Sequence, residues 1–197
     1  MSGAIPDDSA ASIDGRRKRS EDSRARIVAA MLELVHAGEM APGAEQVAAH
    51  AGVGLRTVFR HFNDMDSLYR EMSAAIEGEI VEVIAKPLKG ETWREQLSDM
   101  IVRRAAAFEK MAPFQRAAAV HRHRSRYLND AHERFAGLCR AYLVALLPKE
   151  IASKPGLLES LDLMLSFEVW SRLRREQGLT ARRARGVIED LVGKLLG

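Results

Sequence analysis

The stretch from Gly43 to Tyr69, GAEQVAAHAGVGLRTVFRHFNDMDSLY, constrains this chain more than any other, because it fits two short helices and a tight turn into very little sequence. Gln46 to His50 is a compact run dominated by small residues. Ala51-Gly52-Val53 follows as a turn, and Gly52 can take a positive φ there without a Cβ penalty. Leu55 to Phe62 supplies the second helix. Leu55, Val58, Phe59 and Phe62 recur at spacings of three and four, a stripe expected to dock on the first helix, while Arg56, Thr57, Arg60 and His61 fall on the other side. Cations and a hydroxyl on the outside of a short helix suit the major groove of DNA, so the stretch reads as a helix-turn-helix.

The rest of the chain sets the bounds. With 197 residues, 47% of them apolar, there is enough material for a sizeable core, and no run approaches the roughly 18 apolar residues that a membrane span needs. The N-terminus has no apolar segment of the secretory kind. The single Cys139 excludes an intrachain disulfide and any multi-cysteine metal site, which makes a reducing cytoplasm the expected compartment and inert packing the expected role of the thiol. Net charge is only +3, so the distribution of charge matters more than its sum. Met1 to Ser12 is small and polar and is expected to be disordered. Arg16, Arg17, Lys18 and Arg19 then place four cations ahead of the first helix, where a mobile arm would lie against phosphate; a solvated basic tail is the alternative.

Hydrophobic spacing is helical throughout and no strand pattern is convincing, so the expected class is all-α with about nine helices. Helix 1 is expected from Asp22 or Ser23 to Ala37, and a long helix after Asn63-Asp64 is expected to connect two bodies and end at Pro87. A helix opening at Glu91 or Thr92 should close at Pro113, with a short helix from there to His121. Tyr127 to Leu147, Leu157 to Gln177, and a last helix capped by Thr180 complete the set. The implied divisions are a basic arm at 1–20, a DNA-binding domain at 21–68 and a helical domain at 69–197.

With these residues laid out, the sequence resembles the tetracycline-repressor (TetR) family of transcriptional regulators. Ala51-Gly52-Val53, Thr57, His61 and Phe62 stand at that family's spacing, in detail from Ser23 to Leu68 and beyond that only as an architecture. Four positions depart from the family pattern. Gly43 stands where a threonine usually opens helix 2, Gly54 where a serine caps helix 3, Phe59 where a tyrosine is usual, and Met65 where a lysine is common. Each change removes a side-chain donor for a phosphate, which shifts that work to Arg16 through Arg19 and to Arg24 or Arg26. The residues expected at the DNA are therefore Arg16, Arg17, Lys18, Arg19, Gly43, Gly54, Leu55, Arg56, Thr57, Phe59, Arg60 and His61, with Arg56 the candidate base reader.

The resemblance implies that the second domain binds a small-molecule effector and dimerises. Trp93, Met100, Phe108, Phe114 and Tyr142, together with Met164, Phe167 and Trp170, are large or adaptable side chains suited to a pocket for a hydrophobic or aromatic ligand, although each is also ordinary core material. His121 belongs to the cluster His121-Arg122-His123-Arg124-Ser125-Arg126, which reads as a solvated segment or as an anion-binding rim. A metal is not expected there, because His121 and His123 would point about 200° apart on a helix. Between Leu157 and Trp170 nearly every direction is apolar, so this helix is either the central helix of its domain or packs on its own core and on a second copy as well; on the second reading Leu158, Leu161, Leu165 and Val169 are expected to meet that copy. Ile188, Leu191, Val192 and Leu195 of the last helix are expected to join them in a homodimeric four-helix interface. The expected function is a homodimeric repressor on a palindromic double-stranded DNA operator, with no cofactor, no membrane and no enzymatic centre. A regulator of the same fold that senses no ligand, or that activates, is the alternative.

Overall fold

The structure is a computed structural model that describes residues 8–84 and 86–197; the side chains of residues 8–14, 16, 79, 82 and 84 lie outside that description. The described residues form ten α-helices and a π-helical turn, with no strand among them. The chain divides into two units, Met1–Ser73 and Ala74–Gly197.

The first unit contains α1 (Asp8–His36), α2 (Ala44–Ala51), α3 (Leu55–His61) and the first half of α4 (Met65–Ile84). Its core is Ile27, Met31 and Val35 of α1 against Val47, Val58, Phe62, Leu68 and Met72, all essentially inaccessible. Burying a side chain of this kind contributes about 1.5–3 kcal/mol, and that is what closes three short helices onto α1. Gly52 ends α2 with φ +63, the left-handed conformation that only glycine adopts without strain, and its N–H bonds back to α2. Asp64 caps α4: its Oδ1 accepts from the Ser67 N–H at 2.8 Å.

α1 corrects one expectation. It begins at Asp8, not at Asp22 or Ser23, so residues 8–20 are helical and not a disordered arm; residues 1–7 of that expected arm lie outside the described residues. The ion pair of Arg17 with Glu21 at 3.0 Å is an i,i+4 contact of that helix.

The second unit holds the second half of α4, then α5 (Trp93–His121), α6 (Arg126–Leu146), the one-turn α7 (Lys149–Ala152), α8 (Pro155–Met164), α9 (Phe167–Ser171), the π turn Arg172–Glu176 and α10 (Ala181–Leu196). Thr92 and Glu95 form a reciprocal capping box at the start of α5. The turn before it needs glycine, since at Gly90 (φ +116) a Cβ would lie 2.4 Å from that of Glu95. Pro113 does not end α5. The helix runs through it, because Phe108, Met111, Phe114 and Ala117 on both sides are buried and their packing outweighs the roughly 3 kcal/mol that an interior proline costs. The expected helix from Leu157 to Gln177 is broken at Leu165, and the Ser166 hydroxyl caps α9 by accepting from Val169 N–H at 3.3 Å.

Glu109 of α5 holds the segment after that break. Its carboxylate accepts from the Trp170 indole at 2.9 Å and from two nitrogens of Arg174 at 2.8 and 2.9 Å. The Arg174 guanidinium holds the Glu109 carboxyl below its usual range.

Candidate nucleic-acid interface and ligand cavity

In the helix-turn-helix, α3 is turned differently from the expected stripe. Val58 and Phe62 are buried at 1% and 2% exposure, but Leu55 and Phe59 are 38% and 48% exposed. At about 100° per residue, Leu55, Arg56, Phe59 and Arg60 occupy one continuous arc, and all four are exposed. The outward face of α3 is thus two apolar side chains, Leu55 and Phe59, with two cations, Arg56 and Arg60, side by side along one edge of them. Thr57 is half-buried at its edge. His61 is half-buried as well, and its Nε2 is enclosed without a hydrogen-bond partner. Burial, with the positive fields of Arg60 and Arg24, pulls the His61 ring below its ordinary value of 6.5.

Gly43 and Gly54 sit at the N-caps of α2 and α3 in extended conformation with no side-chain cap bond. Arg17, Lys18 and Arg19 are exposed on α1. Because Arg17, Lys18 and Arg19 are consecutive on a helix, they point about 100° apart and cannot all face one phosphate track, as a mobile arm would have allowed. The Arg16 side chain itself lies outside the described residues.

Arg24, expected to reach phosphate, is engaged inside the domain. Its guanidinium donates to the His61 carbonyl at 2.7 Å and to Glu71 at 2.5 Å, and it lies over the Phe62 ring at 4.5 Å. It caps the C-terminal carbonyl of α3 and ties that helix to α1 and α4. Sequence spacing carries no signal for a bond between residues 24 and 61. Arg26 is exposed, and its guanidinium donates to the Ser23 hydroxyl at 3.4 Å.

In the second unit, a cavity of about 550 Å³ lies between α4, α5 and α6, lined mainly by apolar atoms. Of the expected pocket residues it contains Met100, Phe108 and Tyr142. A second cavity of about 350 Å³, among α5, α6, α8 and the start of α9, contains Phe108 and Phe167, whose rings meet edge to face at 5.6 Å. The two share a wall made by Arg104, Phe108, Phe135 and Cys139. Trp93, Phe114, His121, Met164 and Trp170 line neither. Phe114 and Trp170 are buried in the core, Trp93 lies under Arg94 at 4.7 Å, and His121 ends α5. Ile80, Ala107, Ala131 and Leu138, which do line the larger cavity, look like ordinary helix-stripe residues in sequence; only the packing of three helices distinguishes them. Cys139 is half-buried, and burial pushes its thiol up from the ordinary value.

The expected dimer residues divide. Leu158, Leu161, Leu165, Ile188 and Val192 are buried within the chain's own fold, where α8 and α10 pack on each other. That corrects their placement at an intersubunit surface: α8 is the helix covered on several sides by its own domain. Val169 is half-buried, and Leu191 and Leu195 are 37% exposed, as is Leu163 at 58%. Among the described residues no group of three or more His, Cys, Asp or Glu side chains is placed to hold a metal, and no helix is long and apolar enough to cross a membrane.

A helix-turn-helix with an exposed cationic face, joined to an all-α unit with an apolar cavity, defines a two-domain class of helical protein. Its fold is that of TetR-family transcriptional regulators. A protein from Rhodococcus sp. assigned to that family superposes with a TM-score of 0.67 at 14% identity, over 90% of this chain and 100% of that one. A protein from Pseudomonas aeruginosa assigned as a transcriptional regulator gives 0.66 at 20%, over 88% and 90%. The multidrug binding protein EbrR, complexed with imidazole, gives 0.60 at 19%, over 85% and 88%. No family model matches the sequence, and no curated protein matches it.

Proposed function

We propose that this chain is a transcriptional repressor that binds a palindromic double-stranded DNA operator as a homodimer and leaves it when a small, largely apolar molecule enters the α4–α5–α6 cavity. The observation that carries this reading is the outward face of α3, on which Leu55, Arg56, Phe59 and Arg60 are exposed together while Val58 and Phe62 anchor the helix. Arginine bonds guanine O6 and N7 together, and apolar side chains meet thymine methyl groups, so this face carries both kinds of base contact. Arg19 and Arg26, seven residues apart and so on one face of α1, supply phosphate contacts from that helix, and Thr57 and His61 border the reading face.

For the effector, the cavity has the size and apolar lining of a small-molecule site, and one protein of the same fold is described as multidrug binding. For the dimer, the surface left on α8 and α10 is Leu163, Leu191 and Leu195, with Val169 beside it.

Electrophoretic mobility shift with palindromic DNA flanking the chain's own coding region, with and without apolar ligands, tests the reading. Shifted DNA that ligand releases is the expected result. Shifted DNA that no apolar ligand releases favours the alternative, a regulator of this fold without an effector. No shift on any palindrome refutes both.

A further inference from the structure

Arg104 is a charge that the apolar cavity does not call for. It lies in the middle of α5 with 7% of its surface exposed, on the wall that the two cavities share. Its guanidinium donates to the Leu165 carbonyl at the end of α8, at 3.2 Å, and to the Cys139 carbonyl at 2.5 Å. Two carbonyls ask only for neutral donors. No carboxylate among the described side chains pairs with Arg104. Asp162, the acid whose field reaches it, is held at 2.9 Å by Arg140, which also holds Glu159. Removing a guanidinium from water without a counter-ion is costly, and burial pulls the Arg104 value down accordingly.

The other cations at the larger cavity are committed or exposed. Arg103 pairs with Asp99 at 2.6 Å and donates to the Lys86 and Pro87 carbonyls. Arg134 is exposed and lies over Tyr127 at 5.6 Å. Arg104 alone combines burial, a free charge and the apolar wall of Phe108 and Phe135. Of its five N–H donors, two are spent on the carbonyls, leaving others for the two oxygens of an acid.

We infer that the cavity takes an organic acid, with its carboxylate on Arg104 and its apolar body along Met100, Ala107, Leu138 and Tyr142. This rests on the ligand-cavity reading given above and names the chemical class of its occupant. Because the Arg104 donors also reach α6 and the end of α8, an acid bound there engages the residue that links those two helices. The competing specificity is a cation at Glu77, the acid of the same cavity, whose carboxyl burial pushes up.

Calorimetric titration of the full chain with decanoate, decanamide and decylammonium, one tail with three head groups below their aggregation limits, separates these. Decanoate is expected to bind at least about tenfold more tightly than decanamide, the scale of one charge-assisted hydrogen bond. Arg104→Gln brings decanoate down to decanamide and leaves decanamide unchanged, Arg104→Lys keeps part of the preference, and Glu77→Gln does not alter the order. The wild-type ranking needs no variant and so is independent of whether Arg104→Gln folds. Wild-type binding of decanamide or decylammonium as tight as decanoate overturns the inference, as does a carboxylate preference that survives Arg104→Gln. Binding without head-group preference overturns this inference alone, whereas binding of none of the three overturns the ligand-cavity reading together with it.

Discussion

Replacing Arg24 by methionine removes the clasp that fixes the C-terminal end of α3 while keeping an apolar stem over Phe62. Three contacts are at stake. The bond to the His61 carbonyl at 2.7 Å satisfies an orphan acceptor at a helix end with a charged donor, worth about 1.5–3 kcal/mol. The guanidinium over Phe62 at 4.5 Å adds about 0.5–1 kcal/mol. The Glu71 pair is 40% and 44% exposed, so solvent screening limits it to about 0.2–1 kcal/mol in spite of its short distance. The total is roughly 2–5 kcal/mol, and it falls locally on α3. Amide hydrogen exchange reads this directly at the Phe62 N–H, which bonds to the Val58 carbonyl at 2.9 Å. Two kcal/mol corresponds to about 30-fold faster exchange in Arg24→Met, against about 1.4- to fivefold in Glu71→Gln. Exchange less than about threefold faster in Arg24→Met, or an equal effect from Glu71→Gln, refutes the assignment of the carbonyl bond as the dominant contact.

Two further outcomes follow from the same geometry. His61 titrates below 6.5, first through burial and then through Arg60 and Arg24, so the stability it supports is present above 6.5 and is lost as pH falls through its lower folded value; an NMR titration of the ring in wild type and Arg24→Met should show the variant moving back toward 6.5. Glu109, held low first by its bond from Arg174, stabilises the fold above 4.5 and loses that contribution as pH falls through its depressed value. Glu109→Gln should therefore cost about 1–2 kcal/mol near neutral pH in urea unfolding followed by tryptophan fluorescence, and should flatten the acid limb.

The helix-turn-helix was legible because its signals are local: a glycine that must take a positive φ, and residue types at fixed spacing on both sides of it. The rotation of α3 was not, because a helix of seven residues with Leu55, Val58 and Phe59, followed by Phe62 at its C-cap, offers an apolar arc wider than its neighbours can cover. Val58 and Phe62 are buried, and Leu55 and Phe59 are left to the outside. Pro113 and the uninterrupted apolar run after Leu157 misled for a related reason. A proline reads as a stop and a run of leucines as one helix, yet burial on both sides carries α5 through Pro113, and Ser166 divides the run by capping α9. The same run points to a partner surface, but α8 spends Leu158, Leu161 and Leu165 on its own domain. Arg104 carries no mark at all in sequence. Among so many arginines, only its burial and its place on the wall of two cavities distinguish it.

The central claim is that the exposed arc of α3 reads DNA, and the most direct measurement is the affinity of wild type and Arg56→Ala for the same palindromic duplex and for a random one, by fluorescence anisotropy over a range of salt. The account predicts that wild type prefers the palindrome, with an affinity that falls with salt by a slope of about −0.9 per phosphate contact. Arg56→Ala loses about 1–3 kcal/mol on the palindrome, concentrated at one base position, and little on random DNA. Equal wild-type affinity for the two duplexes, or an Arg56→Ala loss that is the same on both, contradicts it.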